Sequence, residues 1–156
     1  MSPAVKTQGR YGEALALTRR AVHLAFDPRN DEARLRFPHF FLGMTLADAD
    51  RLEEAKDAYV RAIEESEELG SAWLLPDMLM LVGELRFLVG DWDDAAAELE
   101  SGLLLAAKHG QVAAAARLIE AGADAGRRDS VHDATPREWA DFFEQKEMLT
   151  FLAAPG

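Results

Sequence analysis

An all-α fold is what this sequence predicts, and three observations carry it. Alanine fills 28 of 156 positions, and it is both the best helix former and small enough to let helices approach closely. β-branched residues are few and never alternate over a strand's length, so no sheet signal survives. A polar turn followed by alanine recurs at Gly9-Arg10-Tyr11-Gly12-Glu13-Ala14, Asp50-Arg51-Leu52-Glu53-Glu54-Ala55 and Gly90-Asp91-Trp92-Asp93-Asp94-Ala95, its closing alanines 41 and 40 residues apart. A matched pair, Leu42-Gly43 and Val82-Gly83, repeats at the same interval of 40. Such a period predicts stacked helix pairs, a helical-repeat solenoid.

Each element follows in chain order. An amphipathic helix runs from Leu15 to Ala25 and stops at Asp27-Pro28. The next helix carries Leu42-Gly43, and Pro38 must either start it late or kink it. A helix from Ala55 to Glu68 ends before Gly70. The following helix carries Val82-Gly83 and ends at Gly90, with Pro76 posing the same choice as Pro38. The stretch from Asp93 to Lys108 reads as one uninterrupted helix that buries Leu99, Leu103 and Ala106. The small residues Gly43, Gly83, Ala55 and Ala95 let paired backbones close up, while Leu52 and Trp92 are expected to plug the turns. Past about residue 106 the pattern changes. An Ala-rich helix leads to Gly122-Ala123-Asp124. Thr135 then caps a further helix whose first turn takes Pro136, and a last helix holds Glu147 to Leu152.

Composition excludes several functions. The 17 Lys and Arg stand against 28 Asp and Glu, for a net charge of −11, which disfavours nucleic acid or an anionic bilayer as the main partner. No apolar run reaches the roughly 18 residues that a membrane span needs, and the opening residues lack a secretory core. With no cysteine, disulfides, thiolate metal sites and thiol nucleophiles are all removed. A soluble, cytoplasmic protein is the expectation. The acid clusters Glu53-Glu54, Glu64-Glu65, Glu67-Glu68 and Asp93-Asp94 sit at helix starts or on polar faces, where they complement the helix dipole or meet water. His23, His39, His109 and His132 show no metal-ligand spacing. No nucleophile elbow or phosphate loop is present. Arg127-Arg128 is the one basic doublet near the acidic loop, and it reads as a solvated loop tip before it reads as a site for an acidic peptide. The sequence therefore predicts no enzyme, no cofactor and no metal.

With its turns, alanines and paired glycines, the stretch from about residue 9 to 108 resembles tetratricopeptide (TPR) repeats. The period of 40 exceeds the usual 34 and is similar to the longer helical repeats of bacterial regulators of the LuxR and MalT type. Leu69-Gly70-Ser71-Ala72-Trp73 matches joints common in those proteins. The stretch from about 101 to 153 resembles ankyrin repeats. It carries Ala106-Ala107-Lys108-His109-Gly110 and Gly122-Ala123-Asp124, then Thr135-Pro136, Trp139-Ala140 and Glu147-Met148-Leu149. Two departures stand out. Arg137-Glu138 replaces the Leu-His pair that ties neighbouring ankyrin loops, and Glu144 takes the place of the turn glycine, 34 residues after Gly110 against a family period of 33. Together the resemblances imply tetratricopeptide-like helix pairs over 1–108 and ankyrin-like pairs over 109–156 that share the preceding helix, in a natural or engineered hybrid.

Both families imply a non-catalytic protein-protein interaction module binding a peptide or protein partner. In the tetratricopeptide pattern the inner helices present the concave face, which here gives Phe37, Phe40, Met44 and Ala47, then Asp77, Met80, Glu84 and Phe87. A groove of Phe and Met suits an amphipathic helix or extended peptide; apolar stripes of this kind also bury against neighbouring helices. The alternative is a small-molecule-sensing or regulatory fragment of a LuxR-type transcriptional regulator. The helix from Tyr11 to Ala25 has no inner partner, so it is expected to pair with a second copy in a homodimer, to be covered by Met1 to Gln8, or to dock on Phe37 and Phe41.

Overall fold

The computed structural model describes residues 11–27, 29–71 and 73–153, so the expected role of Met1 to Gln8 lies outside the described residues. All described regular structure is helical, and no strand occurs among these residues. The chain forms two compact units, one up to Gly70 and one from Ser71 onward.

In the first unit, α1 (Tyr11–Ala25) packs on α2 (Pro38–Asp48), and α2 packs on α3 (Leu52–Glu68). Leu17 and Leu24 of α1 and Phe41 of α2 remain exposed. A 3₁₀ turn, Asp31–Arg36, leads into Phe37. Phe37 adopts a left-handed backbone (φ 49°, ψ 61°) with its side chain 3% exposed. Pro38 then begins α2, so this proline starts its helix late and does not kink it. The face of α3 turned inward carries Ala55, Ala58, Tyr59, Ala62, Glu65 and Ser66. The Tyr59 ring lies flat enough on Gly43 that a Cβ there would meet it at 2.7 Å.

In the second unit, α4 (Leu75–Val89) and α5 (Trp92–Lys108) form the longest pair. They are followed by α6 (Val112–Glu120), α7 (Pro136–Phe142) and α8 (Lys146–Leu152). The expected uninterrupted helix is present as α5, which packs on α4, α6 and α7 alike. Its Leu99, Leu103 and Ala106 are buried with Ala115, Leu118, Ala140 and Met148 in one apolar cluster. Gly102 allows that closeness: a Cβ there would come within 2.9 Å of Leu118. Pro76, like Pro38, sits in the first turn of its helix.

Among the described residues one backbone joint leads from helix directly into helix at four places. A residue in the left-handed region closes each first helix: Asp50 (φ 60°), Gly90 (φ 93°), Gly110 (φ 67°) and Glu144 (φ 55°). The next residue's N–H returns to the carbonyl five positions back, Arg51 to Leu46, Asp91 to Arg86 and Gln111 to Ala106 at 2.9 Å, and Gln145 to Ala140 at 2.8 Å. This is the Schellman closure, and it satisfies carbonyls that a helix end would otherwise leave bare. The following helix starts at once, with Ala55, Ala95 and Ala115 buried one turn in. Leu52, expected as a plug, is half-buried at its turn. Trp92, expected as a plug, is 69% exposed.

Two joint glutamines add a tie that sequence alone did not show. Gln111 Nε2 donates to the Trp73 carbonyl at 3.1 Å, and Gln145 Nε2 donates to the Lys108 carbonyl at 3.0 Å. At the start of α7, Thr135 Oγ1 accepts from the Glu138 N–H at 3.2 Å while Glu138 Oε2 accepts from the Thr135 N–H at 2.7 Å. Glu138, the departure from the Leu-His pair, thereby completes a capping box.

Candidate peptide-binding hollow

The eight groove positions fall in both units. In the first, Phe37 is buried, while Phe40 is half-buried against the rings of Tyr59 and Phe41, at 5.9 and 5.5 Å. Met44 is exposed and Ala47 half-buried. In the second, Asp77 is ion-paired with Arg117, and Met80 packs against the apolar cluster.

Glu84 and Phe87 are brought together. Both line a hollow of about 400 Å³ whose remaining wall is Gly83, Trp92, Ala95, Ala96, Leu99, Ala121 and Gly122. The hollow follows from local sequence. The joint at Gly90 turns the chain so that the end of α4 and the start of α5 lie side by side. Phe87 and Trp92 stand at these two helix ends with 64% and 69% of their surface exposed. Gly83 lets α4 close on α5, since a Cβ there would come within 2.9 Å of Leu99, and Ala95 and Ala96 put only methyl groups into the wall. Leu88 and Val89 extend the exposed apolar surface.

The rim is acidic. Glu84, Asp91 and Asp93 are exposed, and among the described residues none of them has an ion pair. The neighbouring cation, Arg86, is engaged by Asp94 at 2.7 Å and by Glu98 at 3.4 Å. Burial pushes the Glu98 carboxyl above its ordinary value, with Arg86 pulling the other way and Asp94 adding to the rise.

Other cations of the second unit are paired. Arg127 reaches Glu100 at 3.5 Å and Arg128 reaches Glu138 at 3.1 Å, beside a loop hollow of about 240 Å³. His39 Nδ1 is hydrogen-bonded to Glu65 Oε1 within the first unit. Among the described residues no group of three or more His, Asp or Glu is placed to hold a metal ion, and no helix is long and apolar enough to cross a membrane.

Sequence reasoning found Glu84 and Phe87 through their helix register but missed Trp92 and Ala96. The available signal was an aromatic at the first position of a helix, flanked by Asp91 and Asp93. Acids on both sides suit a solvated residue better than a buried one. No protein-family model matches the chain, and neither a curated protein nor a solved structure matches it.

Proposed function

We propose that the chain is a non-catalytic helical-repeat scaffold that binds a peptide or a segment of another protein at the second-unit hollow. The observation that carries this reading is the pair of exposed aromatics, Phe87 and Trp92, over a small-residue floor. Aromatic anchors beside a concavity supply most of the energy in protein recognition. The recurrence of one joint four times supports the repeat-scaffold part of the reading, since repeat units present surfaces of this kind for binding.

Panning tests it. Random twelve-residue peptides displayed on phage are selected on the full chain and counter-selected on the Phe87→Ser/Trp92→Ser variant. Peptides that bind the first and not the second are the expected result. Selection that yields only peptides indifferent to Phe87 and Trp92 overturns the reading.

A further inference from the structure

We propose that the segment seated in this hollow is basic: a stretch of a partner protein with one bulky apolar anchor and Lys or Arg within a helical turn of it. The inference rests on the interaction reading above and adds the chemistry of the partner. The anchor is dictated by the wall, which apart from Glu84 is apolar or glycine. The positive charge is dictated by the rim.

Between residues 84 and 98 the chain carries Glu84, Asp91, Asp93, Asp94 and Glu98 against one cation, Arg86. Arg86 is consumed by Asp94 and Glu98, which leaves exposed Glu84 in the wall, and exposed Asp91 and Asp93 on either side of Trp92 in the chain, without an ion pair among the described residues. The amino end of α5 offsets part of the charge on Asp91 and Asp93, but a helix end is equivalent to only about half an elementary charge. The carboxyl end of α6, at Ala121 and Gly122 in the wall, adds partial negative charge of the same sign as the rim. An acidic segment entering here meets repulsion from every side. A neutral one leaves the rim uncompensated, and a basic one is attracted before contact and held after it.

The peptides recovered by panning provide the probe. Expected are clones with Lys or Arg within four residues of a Leu, Ile, Phe or Trp. Their affinity should fall at least tenfold when salt rises from about 50 to about 300 mM, because exposed charges are screened over that range. The Glu84→Gln/Asp91→Asn/Asp93→Asn variant should bind them at least threefold more weakly while keeping a cooperative unfolding transition, its melting temperature lowered only by the loss of two acids at the amino end of α5. A Glu53→Gln/Glu64→Gln control in the first unit should bind them as the parent does. Clones that depend on Phe87 and Trp92 but are neutral or acidic, or whose affinity ignores salt, overturn this inference while the interaction reading stands. The absence of any clone that depends on those two aromatics removes both. Light scattering of the chain alone supplies the remaining arm: a dimer that the Phe87→Ser/Trp92→Ser variant dissociates makes the occupant a second copy and overturns the proposal.

Discussion

The two units close their helix pairs with the same joint but fill their interiors differently. In the second unit the cluster around Leu103, Leu118 and Met148 is wholly apolar, and a glycine on α5 brings helices to contact. In the first, α3 turns Glu65 and Ser66 inward, the two buried polar residues among those described. Glu65 Oε1 is held by His39, while its Oε2 is buried without a hydrogen-bond partner. An apolar core resists any new charge, whereas a core that already holds a hydrogen-bonded polar pair depends on both members staying. The difference teaches that a shared backbone frame leaves the means of stabilisation open, and single substitutions should expose it.

The largest effect is expected from Leu103→Asp, which places an unpaired carboxylate in the fully buried centre of the second unit. A loss of about 4 kcal/mol or more should appear in thermal unfolding as loss of that unit's cooperative transition. Retention of the transition would contradict the packing described. In the first unit, His39→Leu leaves Glu65 buried with neither oxygen partnered and should cost about 3 kcal/mol. Adding Glu65→Leu should recover most of that loss, because a well-packed apolar pair replaces a buried hydrogen-bonded one at little net cost. A double-mutant cycle by denaturant unfolding checks this, and simple additivity would show that the two side chains do not act together.

Next in size is a pH effect confined to the second unit. The Asp129 carboxyl is held down at about 2 from an ordinary 3.8, first by the His132 backbone N–H and then by the Trp139 indole N–H. A depressed acid contributes stability that is fully present above its unfolded value and is lost as pH falls through its folded one. The melting temperature should therefore fall between about pH 4 and pH 2. Asp129→Asn should flatten that slope, since an amide does not titrate there, and should lower the neutral-pH melting temperature by a few degrees through loss of the Trp139 bond. The smallest effect should come from Glu144→Gly. Glu144 occupies the joint position at φ 55° where Gly90 and Gly110 stand in two sister joints, so glycine should relieve the left-handed strain and stabilise by about 0.5–1 kcal/mol. A lower melting temperature would mean that the Glu144 side chain contributes more than its backbone costs.

What the sequence determined by itself is local. Helix period, alanine content and punctuation specify the helices of the described region, because these signals act within a few residues. Even so, the helices at Leu52 and Trp92 begin one turn before the alanines that marked them. The joints were legible at Gly90 and Gly110 but less so at Asp50 and Glu144, where the same backbone is reached without glycine. Helix register placed Glu84 and Phe87 on one face, which made part of the hollow readable. The rest was decided only by tertiary structure. Trp92 is 69% exposed while Leu52, at the same position after an identical backbone closure, is half-buried. Glu65 lies inward because His39 meets it from another helix. Ala121 and Gly122 reach the hollow wall only once α6 has folded back along α5. Each of these depends on residues far apart in the chain, where no local periodicity carries information.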